Sequence, residues 1–98
     1  MERYILAPEA LKDLQDIWDF VAVDNPAAAS ALQEEFFRAF EGLAAMPGKG
    51  HKRDDLTDRP VHFFRVRSYL VVYRSDPKPI QIVAVLHAAR DIPTVLRR

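Results

Sequence analysis

Residues 61–87 read VHFFRVRSYLVVYRSDPKPIQIVAVLH, and the fold turns on how this stretch is divided. β-Branched and aromatic side chains dominate it, which is the composition of strands. Asp76-Pro77-Lys78-Pro79 is a turn, since Asp-Pro favours turn initiation and neither proline has an N–H to offer a ladder. Arg67-Ser68 is a link short enough for a hairpin, although it lacks the usual glycine. Three strands follow, Val61–Val66, Tyr69–Ser75 and Ile80–His87, and their tight links make them an antiparallel meander.

Side chains alternate across a strand, so period two sorts these residues into faces. His62, Phe64 and Val66 share one side, and Phe63, Arg65 and Arg67 the other. On the next strand Leu70 and Val72 face one way, and Tyr69, Val71 and Tyr73 the other. If helices cover a single face, the expected arrangement buries Phe64, Val66, Leu70 and Val72. Arg65, Arg67, Tyr69 and Tyr73 are then left on an open face.

Upstream of the strands, Pro47–Pro60 is polar and reads as a loop with room for a turn of helix. Two helices precede it. Pro8 suits a first helical position and Glu9 the positive end of the dipole. Leu11, Leu14, Ile17, Trp18 and Val21 then recur at spacings of three and four, with Asp13, Asp16 and Asp19 off the stripe. This predicts a helix of about 15 residues ending near Val23. Asn25 is an N-cap and Pro26 a first helical residue, so a second helix starts at once. Its stripe is Ala28, Leu32, Phe36, Ala39, Phe40 and Leu43. Residues 2–6 read as a short first strand. The order is β-α-α-β-β-β, an α+β two-layer domain over residues 1–98, with a helical hairpin packed on a mainly antiparallel sheet.

An apolar fraction of 49% suits a folded globule rather than a disordered chain. No apolar run approaches the roughly 18–20 residues of a membrane helix, and the one in MERYILAPEA is too short for a signal peptide. There are no cysteines, hence neither disulfides nor thiolate metal sites. His51, His62 and His87 have no metal-ligand spacing, and neither a metal nor a cofactor is expected. These features point to a cytoplasmic protein. The net charge of zero hides an asymmetry: residues 1–46 carry three basic and nine acidic side chains, residues 47–98 eleven basic and five acidic. The halves attract one another, or the second half offers a basic surface to an anionic partner.

Chemistry has three places to sit. Arginines beside tyrosines on the uncovered sheet suit phosphates, carboxylates or a protein interface, and are equally compatible with a solvated face. The last strand delivers His87, then Arg90 and Asp91: His87 can move a proton and Arg90 can hold a phosphate, or all three fix the strand end through hydrogen bonds. Lys49, His51, Lys52 and Arg53 form a basic loop cluster diluted by Asp54 and Asp55. Trp18, on the first helix's apolar stripe, reads as core. Phe37 and Ala44 form a second apolar run on the hairpin, a groove suited to an amphipathic helix.

Five pieces of the chain, in order, resemble the RelE/ParE family of toxins. They are Tyr4-xx-Ala7-Pro8-Glu9-Ala10-xx-Asp13-Leu14-xx-Ile17-Trp18, Asp24-Asn25-Pro26-xx-Ala29, Leu43-Ala44-xx-Pro47-xx-Gly50, Tyr69-xxx-Tyr73-Arg74, and His87-Ala88-Ala89-Arg90-Asp91-Ile92. The resemblance implies a type II toxin–antitoxin protein that forms a hetero-oligomer with a cognate antitoxin, whose C-terminal segment wraps it. RelE-like members cut mRNA on the ribosome; ParE-like members, such as plasmid-stabilisation toxins, inhibit DNA gyrase without an established hydrolytic site. On the RelE reading Arg65, Tyr73, His87 and Arg90 are the catalytic candidates. On either reading Arg65, Arg67, Tyr69, Arg74, Arg90 and Asp91 are the candidates for contact with target or partner. Leu70 stands where RelE-like toxins often carry arginine, no tyrosine occurs in Thr94–Arg98, and a pI near 6.8 is low for docking among ribosomal RNA phosphates. The ending is closer to ParE. The expected function is therefore gyrase inhibition, with mRNA cleavage or an inactive interaction module as alternatives.

Overall fold

The computed structural model of the protein describes residues 3–97. Strand β1 (Tyr4–Leu6) leads into helices α1 (Pro8–Ala22) and α2 (Pro26–Ala45). A single 3-10 turn at Pro47–Lys49 opens the loop that precedes β2 (His62–Val66), β3 (Tyr69–Arg74) and β4 (Ile80–His87). A four-residue helix, α3 (Ile92–Val95), follows the last strand and was not foreseen from the sequence. The sheet order is β1-β4-β3-β2, antiparallel through β2, β3 and β4, with β1 parallel to β4. The expected α+β architecture of hairpin on sheet is thus present. Glu2, read as the start of the first strand, lies outside the described residues.

Local chemistry explains the hairpin. Asn25 is extended (φ −156°), and its side-chain oxygen accepts the Ala28 N–H at 3.0 Å, with Pro26 in the first turn. The buried faces are each rotated slightly from the predicted stripes. On α1 the buried residues are Ala10, Asp13 and Leu14, while Leu11 is 53% exposed. On α2 Ala29 replaces Ala28, joined by Phe36, Phe40 and Leu43.

Asp13, placed off the stripe by its polarity, is buried because the sheet needs its carboxylate. β1 ends at Leu6, and Ala7 gives its N–H to the Ile82 carbonyl at 2.9 Å. Beyond that point β4 has no strand on this edge. α1 crosses there, and Asp13 Oδ2 accepts the Val85 N–H at 3.0 Å. A buried backbone donor is satisfied by a side chain where a ladder runs out.

The expected faces of β3 are reversed. Arg67-Ser68 is a two-residue turn, which sets Val66 opposite Tyr69 and Phe64 opposite Val71. Directly paired residues share a face, so Tyr69, Val71 and Tyr73 join Phe64 and Val66 under the helices. Leu70 and Val72 lie on the other side. That side is not open: Leu56, Val61, Ile92 and Leu96 cover Leu70, Val72, Ala84 and Leu86 in a second core cluster. Arg67 adopts φ 53°, the left-handed conformation that primed hairpin turns require at their first central residue. A bulge in β4 completes the pattern. Val72 pairs with Ala84 and Tyr73 with Ile82, so one residue of β4 is unmatched. Ile80, Ile82 and Val85 therefore meet the helices, and Ala84 and Leu86 the opposite layer.

Candidate functional site

Tyr73 shows how far burial decides function. Its side chain is 0% exposed, below the helices. The hydroxyl donates to the Pro47 carbonyl at 2.7 Å and accepts the Gly50 N–H at 2.9 Å, tying the start of the loop to the sheet. Gly50 has to be glycine here, because a Cβ would sit 2.5 Å from the Tyr73 hydroxyl oxygen and 2.8 Å from the Phe63 carbonyl. Burial pushes the Tyr73 phenol up, with the Gly50 bond pulling the other way. Tyr73 is a structural anchor, and the expectation that it lies on an open face is overturned.

Tyr69 is also under the helix layer, edge-on to Phe36 (5.5 Å between centroids) and to His87 (5.2 Å). His87 is opposite Tyr69 in the ladder and so belongs to the same side of the sheet. It is exposed rather than buried, and Nδ1 accepts the Ala89 N–H at 3.1 Å. Arg67 turns toward the helices as well, its Nε 2.8 Å from Glu35 on α2. Arg74 ends β3 opposite Gln81, five residues from the Tyr69 end, or about 17 Å along the strand. The predicted arginine–tyrosine face is therefore not assembled.

Arg65 and Arg90 do come together. Arg65 pairs with Leu70 and so projects on the α3 side, where its Nε donates to the Arg67 carbonyl at 2.8 Å. The chain turns after β4 through an Arg90 N–H bond to the His87 carbonyl at 3.0 Å, which carries Arg90 to the same side. The two line a surface depression of about 350 Å³ with a third arginine, Arg53, over a floor that includes Leu56, Leu70 and Ile92. Asp91 stands at the rim and accepts the Thr94 hydroxyl at 2.7 Å. Arg53 is held by two bonds to Asp55, at 2.9 and 2.8 Å. These bonds hold the Asp55 carboxyl below its ordinary value and raise Arg53 in turn. In the sequence Arg53 belongs only to the basic loop cluster. What brings it to Arg65 is the course of the loop: His51 exchanges backbone hydrogen bonds with Phe63 at 2.9 and 2.8 Å, docking the loop on the free edge of β2.

A second concavity lies on the hairpin. Leu11, Leu14, Gln15, Trp18, Gln33 and Phe37 line a groove of about 440 Å³ between α1 and α2. Trp18, expected in the core, is half-buried in its wall. Phe37 belongs to the groove as predicted, whereas Ala44 packs against the main core instead. Among the described residues no helix is long and apolar enough to cross a membrane.

A family model described as the ParE toxin of the type II toxin–antitoxin system parDE matches residues 4–92. No curated protein matches the chain. Among solved structures, a chain from the chromosomal ParDE toxin–antitoxin system of P. aeruginosa superposes with a TM-score of 0.70 at 20% identity. The superposition covers 86% of this chain and 92% of that one, which at such low identity speaks for the fold alone. With the family model spanning β1 through the start of α3, the chain belongs to the ParE toxin family of type II toxin–antitoxin systems.

Proposed function

We propose that the protein is a cytoplasmic toxin that inhibits DNA gyrase and is neutralised by a cognate antitoxin. The observation that carries this reading is the family match over residues 4–92. The placement of the ribonuclease candidates supports it. Tyr73 is in the core, and His87 belongs to the opposite side of the sheet from Arg65 and Arg90, so neither of these two candidates for proton transfer shares the arginine depression with a reacting ribose. Contact with a protein target needs no such group. For the antitoxin, the groove between α1 and α2 has the apolar lining that receives one face of an amphipathic helix. The solved relative likewise comes from a ParDE toxin–antitoxin system.

One observation favours mRNA cleavage as the second reading: Arg65 and Arg90 share one depression, as charge stabilisation at a phosphate requires. Controlled expression in growing bacteria separates the two. Pulse-labelled protein synthesis and a DNA-damage reporter are followed in one culture. Early damage signalling with translation intact is the expected result. Immediate translation arrest with newly cut messages would sink the gyrase reading, and no effect on growth would leave an inactive interaction module.

A further inference from the structure

The Arg53–Arg65–Arg90 depression has a setting that the gyrase reading leaves unused. Residues 1–46, with their excess of acidic side chains, build β1 and the hairpin, whereas residues 47–98, with their excess of basic ones, build the loop, the rest of the sheet and α3. Of the basic residues in the second part, Arg53, Arg65 and Arg90 meet in one depression on the α3 side, whereas Arg67 turns to Glu35 on the helix side. The hairpin carries an excess of acidic side chains and the arginine depression lies on the other side of the sheet, so a polyanion is drawn to the depression rather than to the hairpin.

We propose that the arginine depression binds the phosphodiester backbone of duplex DNA. The three guanidinium groups come from three separate segments: the loop, β2 and the turn after β4. Two are held by bonds through Nε, Arg65 to the Arg67 carbonyl and Arg53 to Asp55. Each keeps further N–H groups for a ligand and loses less side-chain freedom on binding. Asp55 and Asp91 offset part of the charge, which makes the attraction modest and dependent on hydrogen-bond geometry. An extended backbone that repeats its charge at every step can engage several arginines at once, whereas a single protein carboxylate matches only one fork. The inference deepens the gyrase reading, since gyrase works on duplex DNA. Its test leaves the enzyme out, so either can fail alone.

The test is titration of the full-length toxin into a fluorescent DNA duplex at low salt, read by anisotropy. Binding in the range of about 10⁻⁴–10⁻⁶ M is expected, weakening as salt rises. Arg65→Ala and Arg90→Ala should each lower affinity several-fold and reduce the slope of log K against log salt by about 1. Both positions are exposed, and urea midpoints near wild type will confirm that the variants fold. Lys78→Ala, an exposed basic residue on the β3–β4 link, removes one charge elsewhere and should change affinity far less. Three results would overturn the proposal: no binding at low salt, an equal loss in Lys78→Ala, or competition by a polyglutamate peptide or single-stranded RNA at least as strong as by unlabelled duplex.

Discussion

At the scale of single residues, two buried polar side chains hold segments that the backbone ladder does not reach. Asp13 satisfies the Val85 N–H where β1 has ended. Asp13→Ala removes the acceptor and leaves a buried donor unmatched, a loss of about 1–3 kcal/mol in a urea unfolding experiment. Asp13→Asn keeps an oxygen acceptor and should recover a good part of that loss. If the two variants are equally destabilised, the bond to Val85 is not what the carboxylate contributes. Tyr73 joins Pro47 and Gly50 to the sheet, and Tyr73→Phe strips both bonds while leaving the ring in place. A similar loss of about 1–3 kcal/mol is expected near neutral pH. The phenol also sets a pH dependence. Burial raises its folded-state value above the ordinary 10.0, so its contribution is whole below about pH 10. At higher pH the unfolded chain ionises first, and stability falls as pH rises toward the folded value. Wild type should therefore lose more stability between pH 9 and about pH 11 than Tyr73→Phe does. Parallel pH profiles would refute that assignment.

At the scale of elements, the β2–β3 hairpin shows what a sequence makes legible and what it hides. The last three strands to within a residue at each end, the Asn25 cap and the helical hairpin are legible directly, because each rests on local chemistry. The faces of β3 could not be taken from alternation alone. Period two orders residues within a strand but says nothing of how two strands register, and only the length of the turn does that. Counting Arg67-Ser68 as a two-residue turn places Val66 opposite Tyr69 and buries Tyr73. The chemistry of a tyrosine beside arginines points to an open face, and the register overrides it. Asp13 is hidden for a related reason, since polarity in a sequence signals exposure and not a buried bond to the Val85 N–H. Arg53 joins Arg65 and Arg90 only through the docking of a long loop, a tertiary event without a local signature. The turn also carries strain. Arg67 at φ 53° is in a region that disfavours any Cβ by roughly 1–2 kcal/mol. Arg67→Gly should thus be more stable than Arg67→Ala by about 1 kcal/mol in chemical denaturation, since both lose the exposed pair with Glu35. Equal stability of the two would show that the turn relaxes to another conformation when the arginine is removed.

At the scale of the whole molecule, the two proposed contacts fall on opposite sides of the sheet. The groove between α1 and α2 is lined mainly by apolar side chains and belongs to the acidic half of the chain; the arginine depression belongs to the basic half. If the antitoxin takes the first and the target complex the second, neutralisation and toxicity can be separated by mutation. Leu11 is the place to try, since it lines the groove yet is 53% exposed, so a charge there costs the free fold little. Leu11→Glu should weaken antitoxin binding by tenfold or more, because a carboxylate is desolvated against Trp18 and Phe37 when a helix closes over it. The same variant should remain toxic when expressed alone, and antitoxin levels that protect cells from the wild type should fail against it. Arg65→Ala and Arg90→Ala should behave in the opposite way, binding antitoxin through the groove as the wild type does while losing potency. Calorimetry with purified antitoxin and growth curves under paired expression read both halves of the prediction. A Leu11→Glu protein that is both non-toxic and tightly bound by antitoxin would place the target contact on the hairpin and move the antitoxin elsewhere.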